Sequence, residues 1–171
     1  MGTQDNPGAF ISVDRLMKNK KPVDSRVSLI WLLFHVRHAL FQARANELAE
    51  YGVTPMKATV LFIVKSIGDK ATPAEISRWL FLKPHSVSGL LTRMGKDGLI
   101  ARVKDLDRKN QVRIVLTEKA NGLYRKSTSS KTFNRIMSCL PEEEAEQLES
   151  TLEKLRDRAL KELGVKWKPP Y

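Results

Sequence analysis

The most constraining feature of this sequence is a pair of short helical patterns separated by only a few residues. Thr72 followed by Pro73 is typical of a helix start, because the threonine side chain caps free amide groups and proline fits the first turn. Glu75, three residues after Thr72, completes a capping box. A second helix opens at Pro84 and ends at Gly98. Two helices this close, joined by a tight turn, predict a helix-turn-helix.

A hairpin pattern directly follows this pair of helices. Residues 99–104 and 111–116 read as strands, and the charged hexamer 105–110 between them reads as the tip of a hairpin. Thr117 then caps a helix that we expect to run to about Ser138. A hairpin placed directly behind a helix-turn-helix predicts a winged helix.

Longer helical patterns flank the winged helix on both sides. Apolar residues recur in steps of three and four from Val27 until Gly52, which predicts a long amphipathic helix. A shorter helix follows the Thr54-Pro55 cap, and the last one opens at Pro141 with three glutamates behind it. The sequence therefore predicts a mainly α fold, a winged helix-turn-helix with a small β-hairpin wing and long N- and C-terminal helices.

The distribution of charge indicates which part of the chain meets a partner. The formal net charge is +11, which favours a polyanion such as DNA, RNA or an anionic membrane surface. Residues 72–120 hold ten bases against five acids, and residues 121–140 hold four bases and no acid. Residues 141–163 instead hold eight acids against four bases. The middle of the chain is therefore expected to contact the polyanion.

The helix that opens at Pro84 has one face suited to nucleic acid. Its apolar residues cluster on one side at 100° per residue, namely Val87, Leu90, Leu91 and Met94. The other side and its flank carry residues that can bond to base edges or phosphates, or allow close approach: His85, Ser86, Ser88, Gly89, Thr92, Arg93 and Lys96. A plain solvated face is the alternative, but such faces usually mix glutamate with lysine, and this one has no acid before Asp97.

Residues 73–120 resemble the DNA-binding core of MarR-type transcriptional regulators. The motifs that carry the resemblance are GLIARVKDLDRK, which leads into the wing, and VRIVLTEKA, where the second strand runs into a threonine-capped helix. The resemblance implies an obligate homodimer, held by its first and last helices, on a pseudo-palindromic operator. The expected regions are an N-terminal arm, 1–26; a helical dimerisation region, 27–52 and 141–171; and a winged helix-turn-helix DNA-binding region, 53–140.

The wing has a specific role in this resemblance. Arg108 looks like the family's wing arginine, which enters the minor groove, and Asp107 looks like the residue that orders it through a bidentate pair. A solvated surface ion pair worth little is the alternative. The other bases of the hairpin are expected to contact phosphates: Arg102, Lys104, Lys109 and Arg113.

Several positions depart from the family pattern. Phe81 stands where a glycine is usual in the turn, and Pro84 and Gly89 replace residues that are often polar or basic. Lys109 makes the wing tip Asp-Arg-Lys, where Asp-Arg-Arg is common. These departures affect the choice of operator rather than the fold.

Aromatic and histidine side chains near the first helix raise the question of a ligand site. In the family, effectors lie between the dimer helices and the winged helix, which leaves open a small aromatic or apolar effector. The residues that would line such a pocket are Trp31, Phe34, His35, His38 and Phe62. Core packing is the alternative for the aromatic residues. The two histidines could meet one metal, but two histidines are not a site, and we expect neither a metal nor a cofactor.

The function expected from the sequence is transcriptional regulation rather than catalysis. There is no glycine-rich phosphate loop, zinc-protease helix or serine-nucleophile elbow. One cysteine, Cys139, and the absence of a signal-like or long apolar run favour the cytoplasm, on the nucleoid and away from membranes. The partners expected are double-stranded DNA and a second copy of the chain, in a sequence-specific repressor. A low-specificity architectural DNA binder and a winged helix used for protein interaction remain the alternatives.

Overall fold

The structure is a computed structural model that describes residues 25–104, 112–128 and 130–168. It divides into two compact units at Leu40, which are described separately, although the first helix continues from one into the other. The helices and strands, in chain order, are α1 Ser25–Ala49, α2 Pro55–Ile67, a 3₁₀ turn Gly68–Lys70, α3 Pro73–Leu80, α4 Pro84–Lys96, β1 Ile100–Lys104, β2 Val112–Leu116, α5 Glu118–Thr128, α6 Lys131–Met137 and α7 Glu142–Glu162. None of these helices is long and apolar enough to cross a bilayer.

α2 and α3 begin where the sequence pattern predicts. The Thr54 hydroxyl accepts from the backbone N–H of Lys57 at 3.3 Å, and the Thr72 hydroxyl accepts from that of Glu75 at 3.2 Å. Each such cap stabilises its helix by about 1 kcal/mol. The carboxylate of Glu75 pairs with Arg78 at 2.6 Å, so this carboxylate is engaged one turn along the same helix.

The core of the second unit lies among α2 to α5 and the two strands. The predicted apolar face of α4 is buried, and its side chains pack with apolar residues of α2, α3 and β2. The largest fully buried side chains are Leu48, Leu61, Ile76, Leu91, Met94, Ile114, Val60 and Val87. Full burial of a side chain of this size stabilises the fold by about 1.5–3 kcal/mol. Helix α4, which the sequence predicts to contact DNA, is therefore held in place by its buried apolar face.

The turn between α3 and α4 has an unusual backbone conformation. Phe81 ends α3 with φ 52° and ψ 33°, in the left-handed region that glycine usually occupies. A side chain there costs about 1–2 kcal/mol. The Phe81 N–H bonds to the Arg78 carbonyl, the Leu82 N–H bonds to the Ser77 carbonyl, and the Ser77 hydroxyl donates to the Leu82 carbonyl at 2.5 Å. These bonds hold the turn closed in spite of the strain.

The two strands form the antiparallel hairpin of a wing. Ile100 lies opposite Leu116, and Lys104 lies opposite Val112. The strands agree with the prediction to within one residue at each described end, and Gln111 is outside the described residues. The Ile114 N–H also bonds to the Ala71 carbonyl at 2.7 Å, which ties the base of the wing to the segment before α3.

One sequence prediction is wrong: the helix capped by Thr117 does not run unbroken to Ser138. It ends at Thr128, and α6 begins anew at Lys131. Hydroxyl side chains explain the break, because they bond to backbone groups and so compete with the helix. The Thr128 hydroxyl donates to the Tyr124 carbonyl at 3.0 Å, and the Ser130 hydroxyl accepts from the Phe133 N–H at 3.2 Å to start α6.

Candidate nucleic-acid interface

The outward face of α4 presents the short polar and basic side chains that the sequence singles out. His85, Ser86, Ser88, Thr92, Arg93 and Lys96 are exposed, and Gly89 is half-buried. The Thr92 hydroxyl donates to the Ser88 carbonyl at 2.9 Å. The structure thus places every predicted residue of this helix on the side away from the core.

Among the described residues of the wing, Arg102 makes a side-chain contact with this face. Arg102 of β1 donates from Nη2 to the Thr92 hydroxyl of α4 at 3.3 Å, and both side chains are exposed. Lys104 is also exposed, at the end of the same strand. Residues of the wing and of the helix therefore form one continuous polar and basic surface.

Arg113 of β2 makes a separate contact at the base of the wing. It pairs with Asp69 of the 3₁₀ turn at 2.7 Å between Nη1 and Oδ1. The carboxylate is 94% exposed, so the pair faces solvent on one side, whereas the Arg113 Nε is buried and makes no hydrogen bond within the described residues. This predicted phosphate contact thus already has a partner that fixes its direction.

Asp107, Arg108 and Lys109, the tip of the predicted wing, lie outside the described residues. Their roles stay a prediction.

The acid at the end of α4 is neutralised. Asp97 pairs with Lys57 at 2.7 Å, and its backbone carbonyl accepts from the Lys119 ammonium at 2.8 Å. The hydrogen bond from Lys57 is the main reason that the pKa of Asp97 lies below its ordinary value, and the charges of Lys57, Lys119 and Arg93 add to it. A carboxylate at a helix C-terminus is otherwise unfavourable, because that end carries partial negative charge. These bases offset the negative charge where α4 ends.

A cavity of about 520 Å³ lies in the second unit, between α2 and the break that separates α5 from α6. Three aromatic rings line it, together with one arginine, small side chains and hydroxyls: Phe41, Phe62, Phe133, Arg44, Pro55, Ala58, Thr59, Ser127, Thr128 and Ser130. Its size suits a small ligand. Phe62 was predicted for such a pocket, whereas Phe133 and Arg44 were missed, because the break that brings α6 here has no strong signal in the sequence.

Arg44 organises one wall of this cavity. Its guanidinium lies 5.4 Å from the centre of the Phe133 ring, pairs with Glu47 at 2.5 Å and donates to the Ser127 carbonyl. Glu47 in turn accepts from the Lys131 N–H at 3.0 Å, at the start of α6. Burial alone would raise the pKa of Glu47, but hydrogen bonds and charge from Arg44, with backbone N–H groups of α6, lower it below its ordinary value.

The other predicted pocket residues lie on the part of α1 in the first unit. Trp31 packs its ring against those of Phe34, at 6.1 Å between centres, and His35, at 6.3 Å. Trp31 and Phe34 are both 59% exposed, and His38 is exposed as well. Within the described part of the chain, no three or more histidine, cysteine or acidic side chains are placed to hold a metal.

Comparison with known proteins decides the family. The MarR family model matches residues 51–109. The structure is similar to that of the organohalide-sensing transcriptional regulator RdhR-CbdbA1625, bound to 2,4-dichlorophenol, at 32% sequence identity and a TM-score of 0.75. That match covers 85% of this chain and 89% of the other. This chain belongs to the MarR family.

Two further solved structures are similar to this chain. S. aureus MepR, in a complex with DNA, is 25% identical with a TM-score of 0.69, covering 75% of this chain and 94% of that one. A MarR family protein from Bacillus stearothermophilus is 27% identical, with a TM-score of 0.64. That match covers 79% of this chain and 95% of the other. No curated protein sequence matches the chain. The resemblance found in the sequence is confirmed, and with it the winged helix of a MarR transcriptional regulator.

Proposed function

We propose that this MarR family regulator is a homodimeric repressor that binds a pseudo-palindromic operator and is released by a small aromatic effector. DNA binding is supported chiefly by one observation, the continuous surface that α4 and the wing form. It combines short hydrogen-bonding side chains with bases, and its Thr92–Arg102 contact holds helix and wing together. Such a surface suits a helix in the major groove with flanking phosphate contacts.

The distribution of charge supports the same surface. The segment that contains α3, α4 and the wing has twice as many bases as acids, and Asp97 at its edge is paired. The S. aureus MepR relative was solved in a complex with DNA. We therefore assign DNA contacts to the exposed residues of α4, to Arg102, Lys104 and Arg113, and to the wing-tip residues Asp107, Arg108 and Lys109. This function belongs in the cytoplasm, on the nucleoid.

Apolar stripes on α1 and α7 support the dimer. Leu148, Leu152 and Leu155 follow one side of α7 in steps of four and three and are each 41–44% exposed. On α1, Trp31 and Phe34 are exposed still further, at 59% each. Exposed apolar residues in such number are unusual on a monomer and mark interaction sites. A second copy of the chain would cover both stripes, so residues 27–52 and 141–171 form the proposed dimerisation region.

The cavity beside Arg44 supports the effector. Both Nη atoms of Arg44 already bond to groups of the protein, which leaves aromatic rings and hydroxyls as the main lining. These groups suit an uncharged aromatic molecule with one polar substituent better than a strongly charged one. The RdhR-CbdbA1625 relative was solved with 2,4-dichlorophenol, a ligand of this class. The earlier prediction that Trp31, Phe34, His35 and His38 contribute to an effector pocket stays part of the proposal.

Selection of random DNA duplexes on the purified protein tests this function. We expect an enriched site with two inverted half-sites about one helical turn apart, roughly 10 bp. Inserting half a turn between the half-sites should abolish tight binding, and light scattering should give twice the chain mass of 19.4 kDa. Equal affinity for enriched and random duplex would indicate an architectural DNA binder instead. Weak, salt-insensitive DNA binding would indicate a protein-interaction module.

A further inference from the structure

The C-terminal tail turns back after α7. Gly164, with φ 67°, reverses the chain, and the Val165 N–H bonds to the Leu160 carbonyl at 2.9 Å, in the manner of a glycine-capped helix end. The Lys168 ammonium pairs with Asp157 of α7 at 3.0 Å. The tail from 165 to 168 is therefore tied to the last turns of α7 at two places.

Trp167 in this tail contacts the helix-turn-helix. Its ring centre lies 5.9 Å from that of Trp79 and 6.3 Å from that of Phe81, at interplanar angles of 48° and 50°. The guanidinium of Arg78 lies 6.0 Å from the same ring. All three partners are in the last turn of α3 or in the turn that leads to α4. One side chain of the tail that follows α7 thus contacts the segment that sets the start of α4.

We infer that Trp167 is a positioning residue for DNA recognition, which fixes the turn before α4 relative to the end of α7. The left-handed conformation of Phe81 supports this inference. Glycine would adopt this conformation without strain but would offer no ring to Trp167. Aromatic pairs, and a cation over an aromatic ring, stabilise the arrangement that brings them together. These contacts therefore oppose the strain of the left-handed backbone at Phe81.

The contact has a consequence for operator binding, and this part of the inference rests on the proposed function. Because α7 belongs to the proposed dimerisation region, Trp167 connects the dimer directly to the helix-turn-helix. The spacing between the two α4 helices would then depend on this contact. Loss of the ring should harm binding to two correctly spaced half-sites and leave binding to random DNA unaltered, because the charges remain the same.

Three full-length variants test the inference. Trp167→Ala removes the contact, Trp167→Phe keeps an aromatic ring, and Lys166→Ala changes an exposed neighbour in the same tail as the matched control. Hydrogen exchange of the Phe81 and Leu82 amides should accelerate at least tenfold in Trp167→Ala. Affinity for the enriched operator should fall about tenfold at one salt concentration, with affinity for random duplex unchanged. Trp167→Phe should recover most of both effects, and Lys166→Ala should show neither.

The two readouts separate failure of this inference from failure of the proposed function. Unchanged exchange at Phe81 and Leu82 in Trp167→Ala would overturn the positioning role. Accelerated exchange with undiminished operator affinity would also overturn it, because the turn and DNA recognition would then be independent. An equal loss of affinity for operator and random duplex would mean a general loss of structure and would count against it too. If the wild-type protein itself prefers no operator, the proposed function fails, and the role of Trp167 in DNA recognition fails with it.

Discussion

Glu47 of α1 accepts the backbone N–H of Lys131, so that a carboxylate from one helix caps the first turn of another. The same carboxylate pairs with Arg44. A partly buried ion pair and a cap thus hold the C-terminal side of the break between α5 and α6.

Glu47→Gln should lower the free energy of unfolding by roughly 1.5–3 kcal/mol at neutral pH, the usual range for a hydrogen bond to a charged group. The pKa of Glu47 is lowered by folding, so its contribution is present above the ordinary value of 4.5 and is lost as the pH falls through the lowered pKa. The difference between wild type and variant should therefore shrink in acid. Denaturant unfolding across this range measures it. Glu50→Gln, an exposed neighbour on α1, is the control, and a difference independent of pH would contradict the role of the charge.

Thr92 and Arg102 should act as a unit in operator binding. Thr92→Ala and Arg102→Ala should each weaken binding to the enriched operator by about 1–3 kcal/mol. The double variant should lose less than the sum, because the two side chains are in contact. Titrations of all four proteins at one salt concentration test this. Strict additivity would show that the contact does not matter for binding.

Gly89→Ala should affect stability and DNA binding in opposite directions. A Cβ at this position would meet only the end of the Arg93 side chain, at an ordinary contact distance of 3.8 Å. The helix should therefore gain about 0.5–1 kcal/mol of stability. If DNA approaches the backbone here, the methyl group should weaken operator binding. A higher melting temperature with unchanged operator affinity would show that Gly89 does not lie in the DNA interface.

The wing-tip prediction concerns residues 107 and 108. Arg108→Ala should weaken operator binding by about 1–3 kcal/mol. Asp107→Ala should weaken it as well, although it makes the protein more basic, and the double variant should be little worse than Arg108→Ala alone. Tighter operator binding by Asp107→Ala at an unchanged melting temperature would show that the acid is only surface charge.

The cavity beside α2 should bind an aromatic ligand that releases the operator. Addition of 2,4-dichlorophenol should raise the melting temperature and weaken operator binding, because a ligand that prefers one state shifts the population towards it. Thr59→Phe should abolish both effects by filling the cavity from its lining, whereas Thr59→Ser should preserve them. An equal response of Thr59→Phe and wild type would place any ligand elsewhere.

The sequence predicts the helix-turn-helix and wing well because local signals agree with the fold. Thr54, Thr72 and Thr117 each cap the helix that follows, and each acts within three residues. The outward face of α4 follows from its periodicity alone. Because the wing comes directly after α4 in the chain, Thr92 and Arg102 can be expected to share one surface.

The features that the sequence does not predict depend on distant residues. The break after Thr128 is held by Arg44, 83 residues away from Ser127, whose carbonyl receives its bond. The contact of Trp167 with Phe81 joins two residues that are 86 positions apart in the sequence. Periodicity and capping describe neighbours along the chain, so neither can indicate such pairs.

The closeness of Trp79 and Trp167 also gives the protein an optical signal of its own. Two indole rings 5.9 Å apart and inclined at 48° are placed to couple their electronic transitions, so we expect a band pair in circular dichroism. That band pair should disappear when the tail leaves the helix-turn-helix. A spectrum of the unlabelled protein can therefore follow the docking of the tail in real time as DNA is added.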